Sequence, residues 1–317
     1  MQFSRYLTYS KSDSAYRFIP WAIKLALVAA SFYYIVSKLI DGDVEISELT
    51  RQMKQPAFGW IVAATLALML VNWWLEAKKW QMVARPFKLL SIVQAFKAIV
   101  TSVSLDAVLP FGSGAVAGKV LSLKEENRNN VLLPVVLAQG LQSFWTVVLG
   151  SFGLYQLAQL THLSKLYTIN LWQAGFIFLL GVSVVIVLRL RSKWLQALSL
   201  YSASDWLRLA GLSFLRYLVF LIQLIALAQF LSPEISLYTL LGCSTWMFFA
   251  KTIVPKPGHI GALGIRGASA IFFLNLAGYP YAGFVLATFV LWIINLAIPS
   301  LAGLFFIKEL HLTTDSK

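Results

Sequence analysis

Asp106, Lys119, Arg216, Lys251, Lys256, His259 and Arg266 all stand inside or beside long apolar runs. A charged group in lipid costs several kcal/mol unless it is paired or wetted, so each is a functional candidate. Lys251, Lys256, His259 and Arg266 surround one Pro-Gly turn and together can neutralise a phosphodiester or a diphosphate. Arginine grips such oxygens with two parallel hydrogen bonds, whereas lysine acts as a point charge. The competing reading is anchoring to bulk lipid. Lys119 follows Gly112, Gly114 and Gly118. Glycines allow close backbone approach, and a helix start behind them offers free N–H groups to a phosphate. The Gly-Lys-Ser/Thr ending of a P-loop is missing, and glycines between helices also serve packing alone.

Asp106 either binds a cationic headgroup or makes a structural ion pair or cap. A lone carboxylate in lipid would take up a proton. A basic partner from the second half of the chain is therefore expected, with Lys251 and Arg266 the leading choices. Arg216, deep in an apolar run, either lines the same site or pairs with a neighbouring helix. Glu76 beside Lys79 reads as an interfacial salt bridge, and Lys97 reads as a snorkelling side chain.

Catalytic constellations are not evident. His162, His259 and His311 lie far apart with no zinc-ligand spacing. No Gly-x-Ser-x-Gly elbow occurs, and the aspartates are scattered. Cys243 is the single cysteine, which gives neither a disulfide nor a metal cluster. No enzyme activity, cofactor or metal is expected.

The elements that must position these residues are apolar. Hydrophobic residues make up 59% of the 317-residue chain and charged ones 12%, about half the charged share of soluble domains. Mean hydropathy is +0.74. A helix needs about 20 apolar residues to cross about 30 Å of hydrocarbon. Runs of that length lack the period-2 alternation of barrel strands, so helices are the only way to satisfy their backbone. Spans are expected at 18–40, 57–75, 131–157, 171–190, 206–231 and 281–307. The run at 18–40 is too long for a signal-peptide core. Segments 91–121 and 236–276 are apolar but broken, the first by Pro110, Gly112, Gly114 and Gly118. Pro255, Pro257, Gly258, Gly261 and Gly264 break the second.

The net charge of +13 punctuates apolar spans rather than forming a basic module. It is read as topology signal and anionic-lipid contact, not nucleic-acid binding. Arg5, Lys11 and Arg17 put the N-terminus inside. The 78–88 and 189–193 clusters also lie inside, as does the C-terminus, while the acidic 41–55 loop lies outside. Lys119, Lys124 and Arg128 fit if 91–121 dips in and returns to the same side. Val108-Leu109-Pro110 matches Ile253-Val254-Pro255, with Asp106 and Lys251 at the same place before the proline. The reading is one all-α transmembrane domain over residues 1–317. It has about six full spans plus two re-entrant hairpins, in a pseudo-inverted repeat. The repeat halves are 57–157 and 206–307, linked by the span 171–190. Such halves meeting at the bilayer midplane are a transporter arrangement.

The stretch Asn72-Trp73-Trp74-Leu75-Glu76-Ala77-Lys78-Lys79-Trp80, whose tryptophans read as an interfacial belt, resembles a segment of a known family. That family comprises the bacterial flippase-like proteins of the lysylphosphatidylglycerol synthase transmembrane region. Leu109 to Lys119 is similar to its Pro-x-x-x-Gly-Glu-x-x-x-Arg segment, and Pro255 to Gly264 to its Pro-x-Pro-Gly-Gly-x-Gly-x-x-Glu segment. The resemblance covers about residues 57–307 and does not include the family's soluble synthase domain, so synthase activity is not expected. It implies a multi-pass protein of the bacterial inner membrane that moves a lipid between leaflets. The cargo would be an anionic or zwitterionic phospholipid or a polyprenyl-phosphate lipid. Two family glutamates are Ala115 and Gly264 here, and the family arginine is Lys119. Losing two carboxylates predicts an electropositive cavity. Alternatives are an ion-coupled transporter of a small anion, a non-transporting partner of a lipid-modifying enzyme and a membrane-embedded transferase. Membrane lipids are the expected partners; the sequence leaves the oligomeric state open.

Overall fold

Apolar runs without β periodicity satisfy their backbone as helices, and in the computed structural model every described element is helical. The structure describes residues 29–38, 46–109, 113–161, 198–254 and 258–307. Helix α1 covers 29–38 and α2 Ile46–Met53. They are followed by α3 Pro56–Ala84, α4 Ile92–Val108, α5 Ser113–Leu121 and α6 Glu125–Leu160. The second part comprises α7 Ala203–Leu231, α8 Leu237–Ile253, α9 Gly258–Leu276 and α10 Ala282–Leu304. The linking span expected at 171–190 and most of the first expected span lie outside the described residues.

Helices α3, α6, α7, α9 and α10 are long and apolar enough to cross a membrane, so the chain is a multi-pass membrane protein. Helix α9, expected as one arm of a re-entrant hairpin, is itself long enough to span. The expected span at 57–75 continues to Ala84, giving a rod of about 43 Å. Of the three tryptophans at its end only Trp74 faces outward; Trp73 and Trp80 are buried. The expected aromatic belt is thus largely core.

Local chemistry sets the helix ends. Pro56 sits in the first turn of α3, where a missing N–H costs nothing. Ser91 and Ser202 begin α4 and α7 through capping boxes with Gln94 and Asp205. Ser236 caps α8 at the Thr239 N–H. Helices α4 and α8 both end at a residue preceding proline, Leu109 and Val254. Both are extended, at ψ 142° and 124°, as a following proline requires.

After each proline the chain reverses. Helix α5 runs back along α4, with Gly114 against Leu105 and Asp106 and Gly118 against Ser102. Helix α9 runs back along α8, where Trp246 Nε1 donates to the Ser269 carbonyl at 3.0 Å. Residues 56–160 and 203–304 therefore share one order: long helix, hairpin, long helix. The two leading helices run antiparallel, with the Phe58 ring against that of Phe230 and Gln223 donating to the Thr65 carbonyl. Each hairpin packs on the other half's closing helix. Ser104 on α4 donates to the Ser300 carbonyl on α10, and Gln156 on α6 donates to the Tyr238 carbonyl on α8. Two apolar cores result. One is mostly first-half residues plus Leu209 and Ile294; the other is mostly second-half residues plus Phe58 and Leu157.

Candidate functional site

The two hairpin tips meet. Gly258 begins α9 at φ +54°, and a Cβ there would collide with the Ala107 carbonyl oxygen at the end of α4. Positive φ is cheap only for glycine, so this position needs glycine both for conformation and for space. One residue on, His259 places Nε2 3.2 Å from Asp106 Oδ2. Asp106 Oδ1 also accepts the Ala115 N–H at 3.3 Å. One carboxylate thus joins α4, α5 and α9. His259 supplies a partner from the second half that the sequence reading did not name for it. The His259 carbonyl accepts the Trp292 indole N–H, which fixes this tip against α10.

A second cluster lies beside it. Glu76 is 3% exposed, so it is buried at the centre and not the interfacial residue expected. Oε1 receives Lys119 Nζ at 2.5 Å, and Oε2 receives Arg216 Nη1 at 2.5 Å. Lys79, one turn along α3, lies 3.3 Å from Oε2. Arg216 Nε donates to Asn72 Oδ1 at 2.7 Å, and its guanidinium lies over the Trp73 ring. Asn72 donates in turn to Asn295 Oδ1. Asn295 reaches it from a π-helical turn, Ile293–Ala297, within α10. A single polar chain therefore joins α10, α3, α7 and α5. Burying charge requires this much pairing, because desolvation otherwise costs several kcal/mol per ion.

Between the clusters is a cavity of about 230 Å³. Glu76, Asp106, Lys119, Arg216, Lys251, His259 and Arg266 all line it, as do Gln139, Gln142 and Thr146. Four cations face two carboxylates, with buried Lys79 behind Glu76. The formal charge of the wall is therefore positive, and of the two positions where the resembled family carries glutamate only Ala115 lines the cavity. Arg266 differs from the rest. It is 5% exposed, and its Nε has no hydrogen-bond partner among the described residues. Among the described residues no three His, Cys, Asp or Glu side chains gather to hold a metal.

No protein-family model, curated protein or solved structure matches the chain. The family resemblance accordingly rests on the three motifs alone.

Of the predicted turn residues, Gly114 and Gly118 bring α5 onto α4, and Gly258 joins the tips. Gly261 is buried on α9. Gly264 faces α1, where a Cβ would sit 3.2 Å from Phe32, so it serves packing rather than the cavity. Pro110, Gly112, Pro255, Lys256 and Pro257 lie outside the described residues. Sequence reasoning missed Asn72, Glu76, Gln139, Gln142, Thr146 and Asn295. The signal was present: 72 and 76, and 139, 142 and 146, fall on one face of an apolar helix.

Proposed function

We propose that this protein is a flippase-like carrier of the bacterial inner membrane, resembling the lysylphosphatidylglycerol synthase transmembrane-region family. It moves a lipid with an anionic headgroup between leaflets. The observation that carries the reading is the cavity in which four cations face two carboxylates at the junction of two helix hairpins. The headgroup enters this cavity while the tails stay in lipid. The antiparallel relation of α3 and α7, and the exchanged hairpin packing, support an inverted repeat with the hairpins entering from opposite faces. Rocking one half against the other would then expose the cavity alternately. The excess of positive charge disfavours a cationic, aminoacylated headgroup, and more strongly as the local dielectric falls.

The second reading is transport of a small soluble anion, which a cavity of about 230 Å³ would hold with a few waters. Purified protein in liposomes separates the two. Leaflet-resolved fluorescent lipid probes should redistribute faster with protein than without, while entrapped phosphate or chloride does not leak. Solute flux without lipid movement would replace the first reading by the second.

A further inference from the structure

The cations on the cavity wall are not equivalent. Lys119, Arg216 and Lys79 share Glu76, and Arg216 is further held by Asn72 and two aromatic rings. Their geometry is already fixed by protein partners. Arg266 lines the same cavity from α9, is 95% buried by its 5% exposure, and has an unpartnered Nε. No carboxylate forms an ion pair with it among the described residues. A buried guanidinium presents donors in a planar fork that matches phosphate oxygens. Left without an anion it is a cost to the fold, since an uncompensated buried charge is strongly destabilising. Such a group is retained where a ligand supplies the missing charge.

We propose that Arg266 is the docking point for a phosphoryl group carrying more than one negative charge, a phosphate monoester or diphosphate. This rests on the anionic-cargo reading above and narrows it. Two non-bridging oxygens occupy the Arg266 fork, and the remaining charge faces Lys251 and the cation cluster around Glu76. A zwitterionic phosphodiester brings no net charge and would leave the positive excess of the wall uncompensated. A dianion offsets it. Gln139 and Gln142 on the α6 wall offer neutral amide donors to oxygens the fork does not reach.

The test is calorimetric titration of the full-length protein in phosphatidylcholine nanodiscs. Short-chain phosphatidic acid is the lipid monoester, inorganic phosphate the free source and short-chain phosphatidylcholine the zwitterion. Phosphatidic acid should bind at least about tenfold tighter than phosphatidylcholine. Arg266→Gln should weaken it about 10- to 100-fold, the range for losing charge-assisted hydrogen bonds, and Arg266→Lys should recover part of that loss. Arg85→Gln, at a salt bridge with Asp205 outside the cavity, should change affinity less than about threefold, within the range of an exposed pair. Without ligand, Arg266→Gln should melt no lower than the wild type, because it removes a buried unpaired charge. Unchanged phosphatidic acid affinity in Arg266→Gln, equal binding of phosphatidylcholine, or a lowered ligand-free melting point would each overturn the assignment. Arg266-dependent binding of inorganic phosphate as tight as that of phosphatidic acid supports the phosphoryl site and assigns it to a soluble anion. Arg266-dependent lipid binding with no leaflet exchange supports the site and removes only the flippase reading. Leaflet exchange that survives Arg266→Gln, with binding unchanged, removes only the site.

Discussion

Glu76 holds three cations from three helices, and its removal strands all of them. Breaking a buried ion pair by deleting one partner costs about 3–5 kcal/mol. Glu76→Gln should therefore lower the denaturation midpoint of the purified protein by a corresponding amount. An unchanged midpoint would mean that the cluster does not hold the helices together. Arg216 acts through shape as well as charge. Its Nε and Nη1 reach Asn72 and Glu76 together while its plane lies on Trp73. An ammonium group cannot reproduce that fork. Arg216→Lys should cost about 1–2 kcal/mol despite keeping the charge, since hydrogen bonds to charged groups contribute about that much. A loss too small to measure would show that charge alone is what matters here.

The hairpins depend on small residues at defined places. Gly118 lies against Ser102 across the α4–α5 interface, with no room for a Cβ. Gly118→Leu should force the arms apart and cost about 1–3 kcal/mol, as overpacking does. It should also pull Lys119, the next residue, away from Glu76. Cross-linking of cysteines placed on α4 and α5 at positions flanking the Ser102–Gly118 contact would report whether the arms still close. At the tip, Gly258→Ala meets both positive φ and the Ala107 carbonyl. It should weaken any ligand binding that requires the tips together, with a smaller effect on overall stability. Outside the spans, the Arg51 guanidinium lowers the pKa of Glu48 on α2, but that pair is open to solvent and carries no stability argument.

Across the whole molecule the antiparallel leading helices predict sidedness. Cysteines at Leu89 and Lys124, flanking the first hairpin, should be labelled from one face of the membrane. Cysteines at Leu237 and Gly278, flanking the second, should be labelled from the other; from the positive-inside excess near 78–88 the first pair is expected to react from the cytoplasmic side. Labelling of 89 and 124 from opposite faces would break the first hairpin. All four reacting from one face would break the inverted relation of the halves.

Membrane insertion, helix type and the two breaks were legible in the sequence. Each follows from local physics: apolar run length against bilayer thickness, backbone satisfaction in lipid, and proline's effect on the residue before it. Leu109 and Val254 show this most directly, since Pro110 and Pro255 alone dictate their extended backbone. Glu76 read as interfacial and the neutral members were missed, but the charged cavity residues Asp106, Lys119, Arg216, Lys251, His259 and Arg266 stood out one at a time as charges in or beside apolar runs. Their pairings were not legible. Lys79 lies one turn from Glu76 and was within sequence reach, whereas Lys119 and Arg216 come from helices far along the chain. The same holds for Asp106, which met His259 because the hairpin tips touch at Gly258. Periodicity fixes which face of a helix a side chain occupies but not which helix lies opposite. Only the packing of α5, α7 and α9 around α3 and α4 decided that Glu76 gathers Lys79, Lys119 and Arg216 while Arg266 Nε has no hydrogen-bond partner among the described residues.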